Sequence, residues 1–159
     1  MHASVRAWVV DTVAIEGLAA RSVLEVGALD VNGSVRDCFS GPYIGVDMRD
    51  GPGVDQVANA HDLPFGDATF DVVVSTETLE HDDAYWLSLA EMGRVLRPGG
   101  QLLVTTRGNA CSEHDFPSDY WRFLPQSGPL LANLAGCDPV LQEADPELPG
   151  LFLMAVRRG

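Results

Sequence analysis

The chain has 159 residues, 46% of them hydrophobic, which suits a single globular domain over 1–159 able to bury roughly 70% of its unfolded surface. Acids outnumber bases 23 to 10, and the resulting net charge of −13 repels phosphate backbones, so bulk nucleic-acid binding is not expected. No apolar run approaches the ~20 residues of a membrane span, and no basic stretch precedes a long apolar core at the start; a cytoplasmic chain without a membrane partner is expected.

In chain order, residues 2–19 read as a helix, with Val5, Trp8, Val9, Thr12 and Val13 at helical spacing and Gly17 near its end. Val23, Leu24 and Val26 then form a short apolar run, the pattern of a buried parallel strand. It stops at Gly27, and a turn with Asp30, Asn32 and Gly33 follows. Without a Cβ, Gly27 lets backbone come close to a ligand at the strand's carboxyl end. A dinucleotide site would place a second glycine at 29 to cradle a pyrophosphate, but Leu29 stands there and Glu25 puts a carboxylate beside the turn. An acid in that place suits a cation and hydroxyl donors better than a diphosphate. S-adenosylmethionine, with its ammonium, sulfonium and ribose, fits that description; an ordinary strand and glycine turn is the plain alternative.

Ser34 to Phe39 allows a short helix before Gly41-Pro42, and Y-I-G-V-D over 43–47 reads as a second strand ending in Asp47. Asp47 follows Glu25 at about the distance that separates a glycine turn from a ribose-binding acid, and a carboxylate there can accept from both ribose hydroxyls. D-G-P-G-V leaves little room for a helix, and Val54 to Ala58 reads as a short edge strand. Asn59 and the Ala60 N–H can meet an adenine edge; His61 and Asp62 read as loop residues beside it. F-D-V-V-V-S, residues 70–75, is the clearest central strand, and Thr76, Glu77, Glu80 and His81 lie at its carboxyl end, where open parallel sheets bind ligands. Asp82 or Asp83 is expected to cap a helix through Leu96 with Trp86, Leu89, Ala90, Gly93 and Leu96 inward. R-P-G-G, 97–100, is expected to end it and turn into Q-L-L-V-T-T. A helix from Pro129 to Gly136 and a hairpin of Val140-Leu141 with Leu151–Val156 close the chain.

The order V-L-E-V-G (23–27), G-V-D (45–47), L-P-F (63–65), F-D-V-V-V-S-T-E-T-L-E-H (70–81) and R-V-L-R-P-G-G (94–100) resembles the class I S-adenosylmethionine-dependent methyltransferases, in particular the type 11 small-molecule branch, over residues 22–106. The resemblance implies an α/β, Rossmann-like, doubly wound sheet of about seven strands, mostly parallel with an antiparallel last strand and helices on both faces. It implies that Glu25, Gly27 and Ala28 shape the methionine end, that Asp47 and Met48 meet the ribose, that Asn59, Ala60 and His61 lie by the adenine, and that Ser75 and Thr76 floor the pocket. Two departures stand out: Leu29 for the usual second glycine, and Asn59 for the usual acid before Ala60.

Residues 107–125 form a long insertion at the sheet's carboxyl edge, where substrates are usually met. Tyr120, Trp121 and Arg122 are candidates to enclose a flat small-molecule acceptor and hold an anion, with His114, and secondarily His81, as a base for its hydroxyl or amine. Anchoring of the loop by D-Y-W-R-F is the competing reading. Cys38, Cys111 and Cys137 are scattered and read as reduced thiols, and Cys111 with His114 makes only half a metal site, so no metal is expected. The expected activity is methyl transfer to a small-molecule oxygen or nitrogen. A catalytically silent cofactor-binding module, a nucleic-acid base methyltransferase (opposed by the acidity and the lack of Pro-Pro-Tyr or Pro-Cys) and a nicotinamide enzyme (opposed by Glu25 and Leu29) are the alternatives. These residues do not fix an oligomeric state, and nothing in them requires a dimer.

Overall fold

The computed structural model describes residues 2–109, 111–112, 118–147 and 150–159. Among these, the strands are β1 (Val23–Val26), β2 (Tyr43–Asp47), β3 (Gln56–Val57), β4 (Phe70–Thr76), β5 (Leu96–Arg107), β6 (Cys137–Ala144) and β7 (Gly150–Arg157). They form one sheet in the order β3-β2-β1-β4-β5-β7-β6. The first five strands pair in parallel, and β7 lies antiparallel between β5 and β6. This is the doubly wound, Rossmann-like sheet the sequence leads one to expect, and its strand order reverses between β1 and β4.

Helices cover both faces: α1 (Ala3–Ile15) on one, α2 (Tyr85–Val95) and α3 (Gly128–Leu134) on the other. The unbroken apolar runs follow from this, because successive strand residues face opposite sides and both sides are buried. Val72 and Val74 pack with Val5, Trp8 and Val9 of α1, and the Trp8 ring lies 5.2 Å from that of Phe152 on β7. Val73, between the two valines, belongs to the opposite core with Leu89 and Met92 of α2 and Leu131 of α3. Each such side chain contributes about 1.5–3 kcal/mol by leaving water. Among the described residues no helix is long and apolar enough to cross a membrane.

Several elements depart from the sequence reading. The helix expected over 34–39 is only a 3₁₀ turn at Arg36–Cys38, and α1 stops at Ile15. Helix α2 begins at Tyr85, later than expected, and Leu96 already belongs to β5. Its inner face is therefore Ser88, Leu89, Met92, Gly93 and Val95, while Trp86 and Ala90 are exposed. R-P-G-G does not end the helix; it lies inside β5 as a bulge. Leu96 pairs with Phe70 and Gln101 with Val72, so the intervening residues loop out, with Gly99 at φ +77°.

Candidate functional site

A cleft of about 570 Å³ opens at the carboxyl ends of β1, β2 and β4, where the strand order reverses. Its size falls in the range of small-molecule and cofactor sites. Glu25, Gly27, Ala28, Asp47, Met48, Asn59, Ala60, His61 and Thr76 all line it, so residues far apart in sequence meet in one wall. Ser75 does not: it is fully buried beside Thr76, since neighbouring strand residues face opposite sides.

Glu25 is only 4% exposed, and its Oε2 accepts a 2.8 Å hydrogen bond from the Tyr43 hydroxyl. Burial pushes its pKa up to about 7, against the opposing pull of Tyr43 and of the nearby Arg36. Arg36 in turn stacks over the Tyr43 ring, 4.9 Å from its centre, and pairs with Asp55 at 2.7 Å. Asp47 turns its carboxylate inward: Oδ1 accepts from Arg49 N–H at 3.0 Å, and Oδ2 lies 3.4 Å from Leu29 N.

The glycine turn is built differently from the simple picture of a ligand approaching bare backbone. Gly27 has φ +82°, and a Cβ there would stand 2.1 Å from Thr78 Oγ1. The glycine is needed for its left-handed backbone and for the close packing of Thr78, which belongs to the loop after β4. Two loops then interlock. Gly53, at φ +87°, passes its backbone so close that an added Cβ would lie 2.4 Å from Ala28 O, and Asp30 N–H donates to Pro52 O at 2.8 Å.

A family model described as "Methyltransferase domain" matches residues 15–104 of this chain. The chain belongs to the class I S-adenosylmethionine-dependent methyltransferases. It is 37% identical over 91 residues to an O-methyltransferase (cnsE) of Penicillium expansum, a stretch that is 57% of this chain and 29% of that one. It is 38% identical over 100 residues to a demethylmenaquinone methyltransferase of Bacillus licheniformis, 61% of this chain and 43% of that one. The chain thus spans less than half the length of these curated relatives. Its fold matches that of the Burkholderia thailandensis 1,6-didemethyltoxoflavin-N1-methyltransferase, solved with 1,6-didemethyltoxoflavin and S-adenosylhomocysteine. The TM-score is 0.80 at 21% identity, over 99% of this chain and 79% of that one.

The two departures from the family pattern have visible settings. Leu29, in place of the glycine, projects over Gly51, where a Cβ would come within 2.4 Å of its Cδ1. The D-G-P-G turn thus makes room for the larger side chain. Asn59 folds its Oδ1 back onto His61 N–H at 2.9 Å, a turn an aspartate could also make.

The candidate acceptor residues separate. Tyr120 lines the cleft, but Trp121 and Arg122 do not. Trp121 Nε1 donates to Asp82 O at 2.8 Å, and its ring meets Tyr85 edge-on at 5.4 Å. The Arg122 guanidinium pairs with Asp119 and donates to the carbonyls of Ser112 and Trp121 at 3.0 and 2.7 Å. These two residues strap the loop down: the pairing of Arg122 with Asp119 agrees with the anchoring reading, whereas Trp121 stays 37% exposed rather than buried. His114 lies outside the described residues. His81 lines the cleft with Nδ1 2.5 Å from Ser118 O, a contact that puts the proton on Nδ1.

Of three charged residues at the β4 and β5 ends, Glu77 and Glu80 belong to the cluster expected at the end of the central strand, whereas Arg107 has no expected role from sequence. Arg107, 8% exposed, lines the cleft with Glu77; its Nε lies 3.0 Å from Glu77 Oε1 and 3.9 Å from Glu80 Oε1. Glu80 is fully buried, and among the described residues neither of its carboxyl oxygens has a hydrogen-bond partner. Burial pushes its pKa up to about 8. The available signal was a charge directly after F-D-V-V-V-S-T and another directly after L-L-V-T-T. His61 was read as a loop residue, yet its Nε2 lies 2.7 Å from Asp82 Oδ1 across the mouth of the cleft. His61, Asp82 and Asp83 bring ligand atoms within 4.8 Å of one another, but Asp82 is already engaged by His61, the Ala84 N–H and the Ser88 hydroxyl. None of the three cysteines is in a disulfide.

Proposed function

We propose that this chain transfers the methyl group of S-adenosylmethionine to an oxygen or nitrogen of a small molecule. The observation that carries the reading is the convergence of Glu25, Asp47 and Ala60 from three successive segments on one cleft. In this reading Asp47 accepts from the ribose hydroxyls, Asn59 and the Ala60 N–H meet the adenine, and Thr76 lies under the nucleoside. Glu25, with a pKa of about 7, places a carboxyl that can ionise beside the cationic end of the donor. The O-methyltransferase among the relatives supports an oxygen acceptor.

When bound, the donor supplies a methyl group already activated by its positive sulfur. The protein's task is to hold the acceptor in line and keep water away. A hydroxyl acceptor must also lose a proton, and Glu77 and His81 both line the cleft beyond Thr76. Titration calorimetry with S-adenosylhomocysteine and with NAD tests the reading: the first binds and the second does not. In Asp47→Ala the affinity for S-adenosylhomocysteine falls by about tenfold to a hundredfold. Unchanged affinity removes Asp47 from the site, and binding of NAD alone overturns the proposal.

A further inference from the structure

The cleft has two chemically distinct ends. Toward β2 and β3 it is lined by Asp47, Met48 and the 58–61 segment, which the proposed function gives to the nucleoside. Toward β5 it ends in Glu77 and Arg107. These two residues are neighbours by topology: Thr76 and Thr105 are partners in the parallel β4–β5 pair, and each strand delivers a charged side chain just past that point. Glu77 is bent out of the strand at φ +51°, a conformation costly for a residue with a side chain, while its N–H donates to Thr105 O at 2.9 Å.

A carboxylate only accepts hydrogen bonds and a guanidinium only donates them. Set 3.0 Å apart and facing one cavity, they match a ligand that offers a donor and an acceptor side by side. An anionic ligand would meet Glu77, and an ammonium would meet Arg107. A neutral hydroxyl next to a second oxygen satisfies both. Glu80 lies beneath, fully buried, with Arg107 as the nearest cation to its unpartnered carboxyl. It bounds the guanidinium from the floor side at 3.9 Å, and its protonation sets how strongly Arg107 is drawn there, so it acts as a positioning residue. Tyr120, half exposed at the rim, supplies a flat wall.

We propose that Glu77 and Arg107 form the acceptor subsite, and that the acceptor is a flat molecule carrying a hydroxyl beside a second oxygen, as in a catechol or a hydroxyl flanking a carbonyl. The inference rests on the methyltransferase reading above. In the transfer, the hydroxyl oxygen forms the new O–C bond with an electron pair, and the S–C bond breaks with its pair going to sulfur, which becomes a neutral thioether. The hydroxyl proton passes to the Glu77 carboxylate, and Arg107 holds the neighbouring oxygen.

The test uses the full chain and measures S-adenosylhomocysteine formed from S-adenosylmethionine with five probes: catechol, 1,2-dihydroxynaphthalene, 2'-hydroxyacetophenone, 1-naphthol and benzylamine. At least one paired-oxygen probe is methylated, about tenfold or more faster than 1-naphthol or benzylamine. Glu77→Gln and Arg107→Lys each lower that rate by about tenfold to a hundredfold while S-adenosylhomocysteine affinity, read by calorimetry, is kept. Glu80→Gln changes the pH profile of the rate, which a purely structural role would leave alone. Preference for the single-oxygen or amine probe overturns the proposal. So does turnover of none of the five by a chain that binds S-adenosylhomocysteine, or a loss in His81→Gln with none in Glu77→Gln. Failure to bind S-adenosylhomocysteine refutes the methyltransferase reading itself, and the acceptor subsite falls with it.

Discussion

Glu80→Gln tests whether the buried carboxyl behaves as its surroundings require. Glu80 is fully buried and its oxygens have no hydrogen bond to another residue among the described ones; its own backbone N–H, Arg107 and Arg122 favour its ionisation, while Glu77 and Asp119 disfavour it. Desolvation outweighs the arginines, so the folded chain holds this proton up to about pH 8, whereas the unfolded chain releases it near 4.5. Between those values the native state carries more protons than the unfolded one, and stability falls as pH rises, levelling off above about 8. At ~1.4 kcal/mol for each tenfold change in proton affinity, the whole interval has a ceiling on the order of 5 kcal/mol. Glutamine keeps the shape and removes the titration. Urea unfolding of both proteins at about pH 5.5 and about pH 8.5 should show the variant gaining roughly 1–3 kcal/mol on the wild type over that step. Glu25, with its own raised value, contributes equally to both proteins and cancels. A stability difference that stays constant to within about 0.5 kcal/mol would refute the argument that Glu80 is a neutral acid in the fold.

Three further outcomes follow from the packing. Gly27→Ala loses roughly 2–4 kcal/mol from its left-handed backbone and the contact with Thr78, and adding Thr78→Ala recovers the contact part only; recovery of nothing would show that Thr78 is not the obstacle. Tyr43→Phe removes the donor to Glu25 and lowers stability by about 1–3 kcal/mol in urea unfolding, more at about pH 8, where Glu25 is ionised, than at about pH 6; equal losses at both would contradict the assigned hydrogen bond. Leu102→Ala, at the fully buried centre of the sheet, costs about 2–5 kcal/mol by thermal or urea unfolding, whereas Leu134→Ala, 41% exposed, stays within about 1 kcal/mol; similar losses would mean the two helix-covered cores are misassigned.

The sheet was legible because its physics is local and repetitive. A strand buried on both faces needs an unbroken apolar run, and V-L-E-V, V-V-V and L-L-V each announce one. The end of each run then places Glu25, Asp47 and Thr76 at one edge without any knowledge of the loops. The face of α2 was only partly legible, because hydrophobicity puts Trp86 and Ala90 inward, whereas the buried stripe runs through Ser88, Leu89, Met92, Gly93 and Val95. Trp86 looks like a core residue by hydrophobicity, but Tyr85 and Trp121 offer it an aromatic setting outside the sheet. The bulge at R-P-G-G follows from pairing with β4, a partner some 25 residues away in sequence, so a reading of local turn residues could only place a helix end there.

The proposed acceptor end was partly hidden for a related reason. Glu77 and Glu80 are legible in the sequence as part of the cluster at the end of the central strand, but Arg107 joins them only when β4 and β5 are adjacent. Tyr120, Trp121 and Arg122, by contrast, look functional in sequence because aromatic and basic residues are clustered there. Two of the three are occupied with the loop itself. That division has a physical basis. Trp121 and Arg122 have their polar groups engaged by carbonyls and Asp119, so holding a ligand would require them to release the strap. Arg107 and Glu77 are also engaged, with each other at 3.0 Å, but both line the cleft from the ends of rigid strands, so a ligand there need not undo the loop's own anchoring. A site that must fix an acceptor against a fixed donor gains from such rigid support, since a displacement of about 1 Å in the acceptor can cost a hundredfold in rate. The acceptor wall is therefore best sought at the ends of β4 and β5 rather than on the strap.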